Sequence, residues 1–221
     1  MILPCLRELS QFLTLCSLVV VPSLGHAQVV EGTVRSYFTA PNTTPTIRAA
    51  AIDSAGKVVA ASAATASGVF RMNLDGSLDS SFSNNTYNNS LNTLLIQADG
   101  RILVGGLFTL VNGAIRPYIV RLNTNGTLDD AFPTNFGGTG VEVLAPGSGG
   151  KFYAGKVNGY GLQRYDVNGV EDTSFFSPTI GAGQINGRVI AVRELADGKV
   201  MVSPRQRILP MAPRQGGSWR G

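Results

Sequence analysis

Short apolar runs alternate along the chain with polar turns centred on glycine. Val58 to Ala61, Leu94 to Ile96, Ile102 to Val104, Tyr118 to Leu122 and Val200 to Val202 are such runs. Between and beside them stand Asp75-Gly76, Asp99-Gly100, Asn125-Gly126, Asn168-Gly169 and Asp197-Gly198. An Asx-Gly pair accepts positive φ at both central turn positions, which a tight type I′ hairpin requires. The pattern therefore predicts antiparallel hairpins of short strands, about four to six residues each. Helical spacing is missing from this part of the chain. Residues 188–196 could read as a short helix in isolation, but alignment with the earlier runs makes them a strand.

The runs and turns recur in register. One turn glycine repeats at Gly56, Gly100, Gly150 and Gly198, at separations of 44, 50 and 48 residues. A second repeats at Gly76, Gly126 and Gly169, separated by 50 and 43. Around the second glycine four positions keep step in three copies. Arginine stands five residues before it (Arg71, Arg121, Arg164), and Asn or Asp three before it (Asn73, Asn123, Asp166). Asp follows at plus three (Asp79, Asp129, Asp172) and Phe at plus six (Phe82, Phe132, Phe175). A period of roughly 40–50 residues with several short strands per copy suits a four-stranded propeller blade. The expected fold is all-β: a partial β-propeller of three to four antiparallel blades. The repeated Phe is expected to plug the space between adjacent sheets, burial of such a side chain contributing about 2–3 kcal/mol. Gly105-Gly106, at a strand end, predicts close backbone approach.

The string from Ile96 to Thr109, with Val111-Asn112-Gly113 and Arg121-Leu122-Asn123 downstream, resembles the delta-60 repeat, a β-propeller-like repeat of exported bacterial proteins. The resemblance covers roughly residues 47 to 203 and is closest in the second copy. It implies fold and export; the family brings no agreed catalytic residues or substrate. The first and third copies depart from it, with Ala61-Ser62 and Gly155-Lys156 in place of Gly-Gly. The expected organisation is a signal peptide at 1–27, an N-terminal strand or linker at 28–46, and repeats at 47–91, 92–140 and 141–187. The start of a fourth repeat at 188–203 and a disordered basic tail at 204–221 complete it. Ser81 to Asn92, Asn135 to Gly140 and Ser177 to Gly187 read as surface loops. After Val202 the repeat breaks off into a Pro- and Arg-rich stretch, so the chain reads as an incomplete propeller, the mark of a frameshift or early stop.

Residues 1–27 carry a secretory pattern. The apolar run Phe12 to Val21 is too short for a bilayer, which needs about 20 residues. Small residues then precede Gln28, predicting cleavage after Ala27. Cys16 suggests a lipoprotein, but Leu15 occupies the position that needs a small residue. The expected location is secreted, periplasmic or cell surface, with no transmembrane span in the mature chain. Cleavage would remove Cys5, Cys16 and His26, which are all the cysteines and the one histidine of the chain. Disulfides, thiolates, histidine triads and His/Cys zinc sites are then excluded. Four Asn-x-Ser/Thr sequons begin at Asn42, Asn84, Asn88 and Asn125.

The formal charge of +4 changes the picture little. Arg205, Arg207, Arg214 and Arg220 lie in the last seventeen residues, which hold no acid. Between Gln28 and Pro204 thirteen basic residues balance thirteen acidic ones. Nucleic-acid binding needs a basic stripe on the fold, and none is visible, so no nucleic-acid partner is expected.

Oxygen-rich turns supply the one metal candidate. Asn73, Asp75, Asp79, Asn123, Asn125 and Asp129 faintly resemble a calcium loop, as do Asp166, Asn168 and Asp172, but they lack its terminal Glu and most of its charge. Asx residues also stabilise turns through their own backbone, so the expectation is structural turns with no metal and no cofactor. The repeated Arg and Asp read as an ion pair across a hairpin, or alternatively as a ring of arginines lining a channel for an anion. No phosphate loop or dinucleotide fingerprint is present. Asp129-Asp130 and Glu171-Asp172 are the adjacent acidic pairs that carboxylate chemistry on a glycoside could use. The function read from the sequence is a non-enzymatic exported module for binding, adhesion or scaffolding, its partner an extracellular glycan or protein. The alternative is a carbohydrate-active enzyme with carboxylates at the propeller mouth.

Overall fold

The computed structural model describes residues 47–62, 68–134, 136–157, 161–175 and 187–206. The expected leader, the 28–46 linker, most of the Ser177 to Gly187 loop and residues 207–221 lie outside the described residues. Thirteen strands are formed there: β1 (Ile47–Ile52), β2 (Val58–Ser62), β3 (Val69–Met72), β4 (Leu91–Ile96), β5 (Ile102–Gly106), β6 (Leu110–Val111), β7 (Ala114–Ile115), β8 (Ile119–Leu122), β9 (Val141–Pro146), β10 (Phe152–Lys156), β11 (Leu162–Tyr165), β12 (Gly187–Glu194) and β13 (Val200–Gln206). A single turn of 3₁₀ helix at Ser148–Gly150 is the only helix among the described residues.

Three sheets repeat one plan, in the orders β1-β2-β3, β4-β5-β8 and β9-β10-β11, all antiparallel. A fourth strand in each is reduced to a single bridge: Met72 with Leu78, Leu122 with Leu128, Tyr165 with Glu171. Each sheet is thus one propeller blade. β12 and β13 form a two-stranded sheet in register with the first two strands of the others, so 188–194 is strand, as alignment required, and Leu195 and Ala196 enter the turn. β13 runs on to Gln206, three residues past the end expected for the fourth repeat and into the stretch assigned to a disordered tail. Backbone pairing across Pro204 and Val189 is tolerated because proline sits on an edge strand.

The type I′ hairpins expected from the Asx-Gly pairs do not form. Gly76 donates to the Asn73 carbonyl, and Asn73 and Ser77 close the loop around it. The same bonds recur at Gly56, Gly100, Gly126, Gly169 and Gly198. Among the described residues only Asn112 and Tyr118 are non-glycines with positive φ, so the residue before each of these six glycines is not left-handed; Asn112-Gly113, between β6 and β7, does have positive φ at both positions. Each of the six is a type I turn closed by one left-handed glycine. The Asx side chain before that glycine is used differently: Asp75 and Asn125 accept from the backbone two residues on.

Three apolar clusters fill the spaces between successive sheets. Val59, Val69, Leu94, Val104 and Leu122 join the first sheet to the second. Leu103, Ile119, Leu144, Phe152 and Tyr165 join the second to the third. Tyr153, Leu162, Val192, Val200 and Val202 join the third to β12–β13. Gly105 meets the close approach predicted for it: a Cβ there would stand 2.8 Å from Thr93 and 2.9 Å from Val141. The Ser81 to Asn92 segment is not a pure surface loop. Asn85 and Tyr87 are buried, because Asn85 donates to the Gly126 carbonyl at 2.7 Å and accepts from Asn112. Phe136, inside the expected Asn135 to Gly140 loop, is also buried and stacks on Phe132 at 5.4 Å.

Candidate functional site

The in-register residues meet in one constellation per blade, built where the third strand turns back. Nε of the repeated arginine donates to the repeated aspartate: Arg71 to Asp79 and Arg121 to Asp129 at 2.8 Å, Arg164 to Asp172 at 3.0 Å. The same guanidinium lies over the repeated phenylalanine, 4.8 Å from Phe82, 4.6 Å from Phe132 and 4.8 Å from Phe175. A second cation, placed after the first turn glycine, reaches the same carboxylate: Lys57 at 2.8 Å, Arg101 at 3.4 Å and Lys151 at 2.8 Å. The other oxygen of Asp79 accepts from the Ser81 backbone and hydroxyl. Asp172 is treated alike by Ser174. The Lys57 ammonium, then the Ser81 hydroxyl, hold the Asp79 carboxyl far below the usual carboxylate range. Lys151 and Ser174 do the same for Asp172.

The constellation also reaches across to the following blade. Arg71 Nη1 donates to the Thr124 carbonyl and Arg121 Nη1 to the Val167 carbonyl, each at 2.8 Å. These carbonyls lie two residues before Gly126 and Gly169. A Cβ on Gly126 would stand 2.8 Å from the Phe82 ring, and one on Gly169 2.7 Å from the Phe132 ring. Each Arg and Phe therefore form a socket that the next blade's glycine turn fills. Arg121 is 4 % exposed, so Arg71 and Arg121 bind blades together through these carbonyls rather than lining an open channel.

The calcium candidates are divided among these contacts. Asp75 and Asn125 accept from Ser77 and Thr127, backbone and hydroxyl. Asn73 and Asn123 point amide groups at the same two hydroxyls. Asp79 and Asp129 face the cations. Among the described residues no group of three or more His, Cys, Asp or Glu stands close enough to hold a metal ion. The two adjacent acidic pairs are likewise held. Asp130 accepts from Arg116 at 2.7 Å and Glu171 from Gln163 at 2.8 Å.

Two groups were not legible in advance. Lys156 is buried where the second repeat has Gly106; it donates to the Gly137 carbonyl, and desolvation lowers its pKa. Tyr153, also buried, donates to Glu194 of β12 at 2.9 Å, and Glu194 also accepts from the Ser148 backbone. The one sequence signal at both sites was departure from the repeat consensus.

Residues 55–82 and 97–132 match the family model of DUF5122, a β-propeller domain of unknown function. The fold is a partial β-propeller. The matched stretches are those that carry the first two sockets. Among solved structures, the chain is similar to a protein of unknown function from Bacteroides caccae, with 15% identity, 73% of this chain and 54% of that one covered, and a TM-score of 0.49. It is also similar to virginiamycin B lyase from Staphylococcus aureus, with 16% identity, coverages of 72% and 55%, and a TM-score of 0.46. The chain spans about half the length of these structures. No curated protein matches it. Among the described residues no helix is long and apolar enough to cross a membrane.

Proposed function

We propose that the chain is an exported propeller module of the delta-60 repeat type that binds or scaffolds and does not catalyse, its partner an extracellular glycan or protein. One observation carries the reading: the charged residues that recur in every copy are bonded to one another within the blade, and in the first two copies the arginine also joins blade to blade. Catalytic groups are held ready for substrate, whereas these face their own neighbours. The acidic pairs open to glycoside chemistry are bonded to Arg116, Arg121, Gln163 and Arg164. Export rests on the short apolar run ahead of Ala27. A glycan array and a glycoside-hydrolysis screen on the same purified protein test the reading. Binding without turnover is expected, and turnover abolished by changing a single Asp defeats it.

The Asx turns act in this reading as structure without metal, since hydroxyl and N–H donors already occupy their oxygens. Thermal melts with and without chelator check this. A midpoint drop beyond ~5 °C, more than the few degrees that ~1 kcal/mol produces in a domain of this size, shows that the turns hold calcium.

A further inference from the structure

Asn-Gly stands three times among the described residues, at 112–113, 125–126 and 168–169. All three asparagines are exposed, and two of the three side chains are held. The Asn112 oxygen accepts from the Thr86 backbone and hydroxyl, and its amide donates to Asn85 at 2.7 Å. The Asn125 oxygen accepts from the Thr127 backbone at 3.1 Å and from the Thr127 hydroxyl at 2.7 Å. In the third copy Val170 stands in place of Thr127 and has no hydroxyl to offer. The turn is closed instead by Asp166, whose carboxylate accepts from the Asn168 and Val170 backbones, each at 2.9 Å. Among the described residues no hydrogen bond holds the Asn168 side chain, although the glycine beside it is packed against Phe132.

We propose that Asn168 is a self-modification site, at which the turn converts to isoaspartate and loosens the junction between the second and third blades. An asparagine side chain that turns back brings its Cγ to the backbone nitrogen of the next residue, the near-attack geometry that ring closure needs. Glycine at that next position has no Cβ to obstruct the closing ring. The Gly169 nitrogen loses its proton to hydroxide and bonds to Cγ, the bond from Cγ to Nδ2 breaks, and ammonia leaves. Water then opens the succinimide at either carbonyl, giving aspartate or isoaspartate, with no oxidation or reduction. The Gly169 amide must first release the Asp166 carbonyl, 3.0 Å away. Gly126 is tied to Asn123 in the same way at 2.9 Å, so the two turns differ in the side chain and not in the nucleophile. Thr127 holds the Asn125 side chain forward, away from ring closure, and Val170 cannot do this for Asn168. Isoaspartate adds one carbon to the main chain between Val167 and Gly169. That lengthening displaces Gly169 from a seat where a Cβ would stand 2.7 Å from Phe132 and 3.2 Å from Pro133. It also disturbs the Val167 carbonyl, which accepts from Arg121 at 2.8 Å and from Gln97 at 3.1 Å.

The test ages the full chain in mildly alkaline buffer and follows the three turns by peptide mass spectrometry, with a methyl-acceptor assay for isoaspartate. Conversion at Asn168 is expected to run at least ~5-fold faster than at Asn112 or Asn125. Val170→Thr supplies the missing hydroxyl and is expected to slow Asn168 toward the Asn125 rate, while Thr127→Val is expected to speed Asn125. Val170 is 60% exposed, and circular dichroism before ageing checks that both variants keep the fold. The melting midpoint of the aged wild-type chain is expected to fall by more than ~3 °C. That of aged Asn168→Gln, whose longer side chain closes its ring far more slowly, is expected to hold. Conversion at Asn112 or Asn125 as fast as at Asn168 overturns the proposal, as do unchanged rates in both turn variants. An equal midpoint loss in aged wild type and aged Asn168→Gln overturns the link to the blade junction.

Discussion

Arg121→Ala is the sharpest test of the idea that charged repeats are cement. Arg121 donates to Asp129 and to the Val167 carbonyl, each at 2.8 Å, and covers the Phe132 ring at 4.6 Å. Its side chain is 5% exposed and that of Asp129 12%. Removing one member of so buried a pair strands the other, at a cost of about 3–5 kcal/mol. Arg101, 3.4 Å from Asp129, offsets part of this, so the low end of that range, ~3 kcal/mol, is the working value. For a domain of this size each kcal/mol lowers the melting midpoint by roughly 2–4 °C, so a drop of ~6–12 °C follows. Arg121→Lys restores a charge but neither the fork nor the stacking, and should fall between. The control is Arg188→Ala, whose partner Glu142 is 3.5 Å away and whose side chain is 36% exposed. Pairs that exposed contribute under about 1 kcal/mol. Melting all four proteins by circular dichroism at one pH decides the matter. An Arg121→Ala midpoint no lower than that of the control refutes the reasoning.

Three further outcomes follow from the same geometry. Asp79 and Asp172, held far below the usual carboxylate range chiefly by Lys57 and Lys151, contribute stability that is complete above their unfolded pKa near ~3.9 and lost as pH falls toward the folded values. Melting midpoints should therefore fall between pH ~5 and ~2, and a Lys57→Met, Lys151→Met double variant should show a shallower fall; an identical slope contradicts this. Gly126→Ala should destabilise by more than ~2 kcal/mol, because a left-handed φ is joined by collision with Phe82 and the Ser83 carbonyl. Gly113→Ala has the same φ but open space and should lose only ~1 kcal/mol, so equal losses in denaturant titrations dismiss the packing argument. Tyr87 is buried and its hydroxyl has no hydrogen-bond partner among the described residues, so Tyr87→Phe should leave stability equal or raise it by up to ~1 kcal/mol, and a lower midpoint reveals an unseen partner.

By itself the sequence determined the fold class and blade count, because a strand's side-chain period and a turn's glycine are local requirements that print directly on the chain. In-register Arg, Asp and Phe marked the recurring constellation, and the strand reading of 188–196 came from register alone. The turn type did not, since Asx-Gly satisfies both a type I′ hairpin and a type I turn closed by glycine. The choice depends on which residue three positions earlier accepts the amide, as Asn73 does for Gly76. Nor could the sequence say that Arg71 and Arg121 reach carbonyls 53 and 46 residues away. Those bonds exist only once sheets stack face to face. The burial of Asn85, Tyr87 and Phe136 inside apparent loops has the same origin. Their neighbours come from another part of the chain, and polar or glycine-rich surroundings in sequence carry no trace of them. Tertiary structure likewise seated Gly126 on Phe82 and Gly169 on Phe132, because each of those sockets is filled by the blade that follows it.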